Sequence, residues 1–193
     1  MYEPIKDTIS SGVVVFKRLD HTETGGFTLD ITGLTAGAIM KAGSLMSFDA
    51  STRMAKVVIS GTVVETAADG ATAYKIAKGS LFVVGSNFAA TTGGKAYPIT
   101  AIDASGADYD VVTVGTSIGA VTAGTAVFAS SATGASAAAY GSTIKGLLCE
   151  DTKISKNVTV DIVTHGVVYA RRIPGAPVDV RTALPLIIFS ESY

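Results

Sequence analysis

The stretch Asn-Val-Thr-Val-Asp-Ile at residues 157–162 alternates polar and apolar side chains without a break. Val158, Val160 and Ile162 lie on one side of an extended chain, and the polar residues lie on the other. This period of two is typical of a β-strand with one buried face and one face in contact with solvent. Windows with the helical period are scarce, so the sequence predicts a mainly β fold.

Similar runs recur along the chain. They are rich in Val, Ile, Thr and aromatic residues, and they fall at residues 12–17, 55–65, 74–84 and 109–114. Glycine-containing clusters separate them, and such clusters are typical of turns. The 21 glycines, against 5 prolines, fit many short strands joined by tight turns and bulges. We therefore predict a β-barrel or β-sandwich domain with extended N- and C-terminal arms and few or short helices.

The two ends of the chain differ from its middle. Residues 1–30 carry charges, a turn and one β-prone run, whereas residues 171–193 hold three of the five prolines, which limit regular sheet pairing. We expect an N-terminal arm over residues 1–30 and a C-terminal arm or strand over residues 171–193. Between them we expect a β domain over residues 31–170, in which residues around 50–95 can form an inserted subdomain.

The composition points to partners made of protein. Charged residues make up 16% of the chain, below the roughly 25% usual for soluble domains. Copies of the chain or another protein are expected to cover part of so apolar a surface. The net charge of -1, with one adjacent pair of arginines at 171–172, argues against nucleic acid, which needs clustered cations. No apolar run approaches the ~18 residues of a membrane span, and residues 1–7 do not resemble a secretory signal, so we expect synthesis in the cytoplasm.

Metal and cofactor chemistry is not indicated. The two histidines, His21 and His165, and the single cysteine, Cys149, are far apart in the sequence. A structural zinc site needs four converging ligands, and a catalytic one needs three. We predict no metal, no cofactor and no catalytic residues.

One formal catalytic motif occurs in the sequence. Residues 115–119 match G-x-S-x-G with Ser117 as the serine, and Asp151, Asp161 and His165 follow in the order of an α/β-hydrolase. The nucleophile elbow requires a helix directly after the serine. Residues 120–125 read Ala-Val-Thr-Ala-Gly-Thr, which is turn and strand chemistry. A serine hydrolase is therefore a distant alternative, and the sequence predicts a protein that is not an enzyme.

Several segments resemble the auxiliary, or decoration, proteins of tailed-bacteriophage heads. Residues 31–37 (ITGLTAG) and 41–45 (KAGSL) are similar to their opening β segment, and residues 144–151 (IKGLLCED) are similar to a core strand. Residues 158–173 resemble the strand pair that closes such domains. The ending at residues 183–189 (ALPLIIF) is similar to the tails of related head proteins, including head-fibre proteins.

The resemblance implies a homotrimer that sits on three-fold positions of an expanded shell, with the major capsid protein as its partner and the virion surface as its location. Its function would be to stabilise the shell by extra contacts between capsomers. Val13, Val15, Leu186 and Ile188 are the residues we expect in strands that contact the shell or other copies. The alternative is a head-fibre or receptor- or glycan-facing virion module, in which loops such as residues 129–141 would carry recognition.

Overall fold

The computed structural model describes residues 13–192 of the chain. The fold is 44% strand and 5% helix, which confirms the predicted mainly β class. Its strands are β1 (Phe16–Leu29), β2 (Ile39–Met40), β3 (Leu45–Asp49), β4 (Met54–Val58), β5 (Ser60–Thr62), β6 (Ala73–Ala77), β7 (Asn87–Ala89), β8 (Ala96–Asp103), β9 (Tyr109–Val114), β10 (Ala126–Ser130), β11 (Gly146–Leu148), β12 (Thr152–Lys153), β13 (Thr159–Tyr169) and β14 (Ile187–Ser190). A 3-10 turn (Ala170–Arg172) and a short helix, α1 (Val178–Ala183), lie between β13 and β14.

Five strands close into a barrel in the order β1–β4–β3–β11–β13, with β13 returning to pair with β1. The barrel interior is filled by alternate residues of these strands, and Phe27, Met46 and Leu148 are fully buried there. The alternation predicted at residues 157–162 is present in β13, where Val160 and Ile162 are buried in the same cluster. Closure pairs the barrel strands with one another and so protects their backbone edges.

A second sheet is inserted between β4 and β11, in the order β5–β10–β7–β8–β9–β6. A bridge between Val63 and Ile76 brings the two ends of this sheet together. The sheet encloses its own apolar cluster, in which Tyr74 and Phe88 stack with ring centroids 5.4 Å apart. Its strands run from residue 60 to residue 130, so the insertion is larger than the subdomain expected around residues 50–95.

Within the described residues, the two expected arms contain strands that pair with the rest of the chain. Residues 1–12 lie outside the described residues, but β1 places residues 16–29 in the barrel sheet instead of in an N-terminal arm. At the other end, β14 pairs in parallel with β13 of the same chain. The proline-rich segment before it crosses to the second sheet, where the Ser60 and Thr62 hydroxyls donate to the carbonyls of Gly175 and Pro174 at 2.8 and 2.9 Å.

Candidate interaction surface

A three-stranded ribbon formed by β1, β13 and β14 extends from the barrel. β13 pairs with β11 only at Ile162 and Val163, and beyond that point its free side is taken by β14. β1 pairs with β4 only at Thr28 and Leu29, so the first half of β1 pairs with β13 alone among the described strands. The ribbon therefore extends from the closed barrel with two faces and two outer edges, one on β1 and one on β14.

The inner face of the ribbon packs on the protein. Phe16, Val168 and Phe189 occupy one row across the three strands, because Val168 pairs with both of the others. These residues join an apolar cluster that includes Ile187, which is 4% exposed. Paired residues share a face of a sheet, so this row fixes which side of each strand is buried.

The opposite side, which we call the ribbon face, is open to solvent. Arg18, Val167 and Ile188 form a row across it, since Val167 pairs with both of the others. Leu186 and Ile188 are each 57% exposed, whereas Ile187 between them is buried. An apolar centre of this kind, with a charged residue at one side, is typical of a surface that contacts protein. The ribbon face consists of Arg18, His165, Val167, Leu186 and Ile188.

The outer edge of β14 is unpaired within the described part of the chain. The Leu186 carbonyl accepts from the Gly166 amide at 3.1 Å, so Leu186 and Ile188 direct their backbone groups towards β13. In a parallel ladder the intervening residues direct theirs away from it. Ile187 uses its amide in a bond to the Leu184 carbonyl at 3.0 Å, which leaves the Phe189 amide and carbonyl facing the open edge. An extended segment of another chain can pair there.

Ionic contacts hold the strand in place at its end. Glu191 lies 2.8 Å from the Arg181 guanidinium and 3.6 Å from that of Arg171. The Arg181 guanidinium also lies 5.4 Å from the centre of the Phe189 ring. These groups are partly exposed, so each contact is worth little alone, but together they restrict the motion of β14.

A hydrogen-bonded carboxylate ties the segment before β14 to the rest of the protein. Asp179 accepts from the hydroxyls of Tyr140 and Thr92 at 2.8 and 3.0 Å. Burial raises the pKa of Tyr140, and its hydrogen bond to Asp179 and the Asp179 charge raise it further. Tyr140 therefore stays neutral and keeps donating to Asp179. The helix α1 is thus held against the second sheet and against the loop that precedes β11.

The expected interface residues fall into two groups. Val13, Leu186 and Ile188 are exposed, at 55%, 57% and 57%. Val15 is 9% exposed and packs in the same cluster as Ile173, so only a small part of its side chain is accessible to a partner. The sequence did not indicate the contribution of Val167 and His165 to the ribbon face, because their exposure depends on the register between β13 and β14.

The residues of the formal hydrolase motif have structural contacts. The Ser117 hydroxyl accepts from the Gly119 amide at 3.0 Å and lies 3.4 Å from the Tyr74 hydroxyl, which stabilises a turn. No hydrogen bond among the described residues joins Ser117 to a histidine or a carboxylate. His165 lies on β13, where it pairs with His21 of β1, so it belongs to the barrel sheet and not to the second sheet.

Asp151, another residue of the formal motif, also has a structural role. It is buried and accepts from the Ala42 amide at 2.7 Å and from the Lys41 ammonium at 3.2 Å.

Within residues 13–192, no three His, Cys, Asp or Glu side chains converge closely enough to hold a metal ion. The helix α1 has six residues, and no helix in the described range has the length and apolar character to cross a bilayer. No family model matches the chain, and no curated protein or solved structure is significantly similar to it.

Proposed function

We propose that this chain is a virion structural protein that binds the outer surface of a phage capsid as an oligomer and stabilises the expanded shell. The observation that supports it most is the ribbon face, where Leu186 and Ile188 are exposed beside the unpaired edge of β14. Exposed apolar side chains next to free backbone groups favour a partner that adds a strand and covers the face. The resemblance to decoration proteins supplies the identity of that partner.

Shell stabilisation follows from mass action. A protein that binds only the expanded lattice lowers the free energy of that lattice in proportion to the logarithm of its concentration over the dissociation constant. At one hundred times the dissociation constant, each occupied site stabilises the lattice by about 2.7 kcal/mol. Many sites on one shell add up, so modest affinity at each site is enough to oppose internal pressure. No bond needs to be made or broken in this role.

The test is co-sedimentation of the purified protein with shells of the parent phage in their expanded and precursor forms. We expect binding to the expanded form alone, and a solution mass near three times the 19.6 kDa of one chain by light scattering. Ile188→Lys should weaken shell binding by about ten- to one-hundred-fold, because burial of one isoleucine contributes about 1.5–3 kcal/mol. Val84→Lys is the matched control, since Val84 is 60% exposed in a turn of the second sheet.

The outcomes separate the proposals. Equal binding by the two lysine variants would remove the ribbon face from the interface. A monomer with no affinity for either form of shell would overturn the proposed function. Binding to host cells or glycans in place of shells would favour the head-fibre or receptor-facing alternative.

A further inference from the structure

A small cleft lies where the barrel, the second sheet and the C-terminal segment meet. Its volume is about 250 Å³. Val13 and Val15 line it from the segment before β1, Ser60 and Ser80 line it from the second sheet, and Ile173 lines it from the C-terminal segment. Apolar side chains and hydroxyl groups thus line a space that holds one or two side chains. The volume of this space is below the roughly 300 Å³ of small-molecule pockets.

Cationic side chains outnumber acidic ones in the lining. Lys41, Lys78, Arg171 and Arg172 all contribute to it, whereas Asp151 is its one carboxylate. Two of the four are neutralised locally. The Lys41 ammonium lies 3.2 Å from Asp151, and the Lys78 ammonium lies 2.6 Å from Asp110 outside the lining.

The other two cations are arginines. The Arg171 guanidinium lies 3.6 Å from the Glu191 carboxylate. Arg172 donates to the Val14 carbonyl at 2.7 Å and stacks on the Tyr169 ring at 4.5 Å. Both of those partners are uncharged, and no carboxylate of a described residue lies within ion-pair distance of Arg172. A guanidinium has five N–H donors, so most of the hydrogen-bonding capacity of Arg172 is still available to a ligand.

The shape and the charge together select the ligand. A guanidinium prefers a carboxylate or a phosphate, which it binds with paired hydrogen bonds. A phosphate polymer needs a stripe of cations, and the net charge of the chain is -1. The valines and Ile173 would pack against an alkyl stem, as in the side chain of a glutamate. A carboxylate on a short apolar stem therefore fits better than a nucleic acid backbone.

We infer that this cleft binds a carboxylate side chain presented by an acidic peptide segment of the partner protein. The assignment of that partner as the shell subunit rests on the proposed function, whereas the anion-binding property of the cleft does not. Val13, one of the expected interface residues, lies in the lining, so the cleft gives that exposed valine a place in the contact.

The first experiment uses a peptide probe and the full chain. An acetylated peptide that alternates leucine with glutamate is titrated into isotope-labelled protein, and an otherwise identical peptide carries glutamine. We expect the glutamate peptide to shift the amide signals of Ala42, Ser80 and Ile173, and the glutamine peptide to leave them unchanged. Arg172→Gln should weaken the binding of the glutamate peptide by roughly ten-fold, the factor typical of the loss of a hydrogen bond to a charged group. Arg172→Lys should restore part of that loss, because it keeps the charge.

Lys156→Gln is the control, since it removes one exposed positive charge from the barrel and should change peptide affinity by less than two-fold. The cleft assignment is overturned by any of three results. The first is that no amide signal shifts at peptide concentrations up to about 1 mM, where a millimolar dissociation constant would be visible. The second is that the glutamine peptide causes the same shifts as the glutamate peptide. The third is that Arg172→Gln binds the glutamate peptide as tightly as the native chain does.

A second experiment separates this inference from the proposed function. Arg172→Gln and Ile188→Lys are compared with the native chain for binding to expanded shells. If native protein binds shells and Arg172→Gln binds them equally well, the cleft has no part in docking and the proposed function stands. If native protein binds the glutamate peptide but no shell, the cleft stands as an anion site and the shell is the wrong partner.

Discussion

Gly166 is a position at which two backbones of the ribbon approach closely. A Cβ atom added there would lie 2.5 Å from the Arg18 carbonyl oxygen and 3.5 Å from the Leu19 Cα atom. The first distance is well below van der Waals contact, and both atoms belong to the backbone of β1, which cannot rotate away. Gly166→Ala should therefore force β1 and β13 apart at the base of the ribbon.

The expected cost is that of an overpacked core site, about 1–3 kcal/mol in the free energy of unfolding. For a chain of this length each kcal/mol lowers the melting temperature by about 2–4 °C, so we expect a fall of about 2–12 °C. Urea denaturation with linear extrapolation measures the free energy directly. Gly166 also pairs with Ile187, so the same change should make β14 more accessible to proteases.

Gly141→Ala provides the matched control. Its added Cβ would meet nothing nearer than the Ser131 Cβ atom at 3.7 Å, which is an ordinary contact. This variant should be neutral, or more stable by up to about 1 kcal/mol, because alanine restricts the unfolded chain. If Gly166→Ala matched the native protein or the Gly141→Ala control in stability, the close approach of β1 and β13 would be refuted.

Two tyrosines and the aspartate at the end of β3 give three further tests. Tyr74→Phe should lower the free energy of unfolding in urea by about 1–3 kcal/mol, since it removes the hydroxyl that accepts from the Ile118 amide at 3.1 Å. Tyr140→Phe removes the 2.8 Å bond to Asp179 and should cost about 0.5–1.5 kcal/mol in the same assay, with equal stability contradicting the role of that bond. Hydrogen bonds, chiefly from a neighbouring serine side chain, lower the pKa of Asp49 from 3.8 to about 2. As the pH falls, Asp49 is therefore protonated in the unfolded state before it is protonated in the folded state. The stability that Asp49 contributes should be constant above about pH 4 and disappear between about pH 4 and pH 2, and denaturation curves of Asp49→Asn should lack that component.

The sequence predicted the fold class because that class depends on local periodicity. In β13 the alternation of Val160 and Ile162 with polar residues places them in the barrel interior without reference to any other strand. Leu186 and Ile188 likewise share the spacing of two and share their exposure. Where the alternating residues follow one another along an extended segment, their spacing in the sequence predicts which side chains share a face.

The same spacing fails at Val13 and Val15. They are two residues apart, yet one is 55% exposed and the other 9%. Both lie before the start of β1, outside the regular alternation of that strand, although the Val15 carbonyl accepts from the Tyr169 amide at 2.9 Å. Val15 is covered by Ile173, which comes from the far end of the chain, and a Cβ at Gly43 would lie 3.4 Å from its side chain. Contacts between residues so distant in sequence cannot be read from local pattern.

Two larger features also could not be predicted from the sequence. The charged first half of β1, with Lys17, Arg18 and Asp20, is typical of a solvated arm, and it becomes a sheet strand only because β13 pairs with it through a series of register shifts. The two ends of the second sheet are joined near the bridge between Val63 and Ile76, a pairing that no motif in the sequence indicates. Strand order is a property of long-range pairing, which periodicity does not encode.

In the proposed function β14 is a docking strand, and the insertion explains how such a strand would be ordered in advance. An edge that must be ordered on binding loses about 1–2 kcal/mol of backbone entropy for each residue fixed, which would offset the contacts that it gains. The segment that leads into β14 is already held by Ser60 and Thr62 of β5 and by Thr92 beyond β7, through hydrogen bonds of 2.8 to 3.0 Å. The second sheet therefore orders the strand before any partner arrives, and pre-organisation of this kind raises affinity without adding a contact. In the proposed role, force applied to β14 by a shell would pass through these bonds to both sheets, so the insertion and the barrel act as one support for the ribbon face.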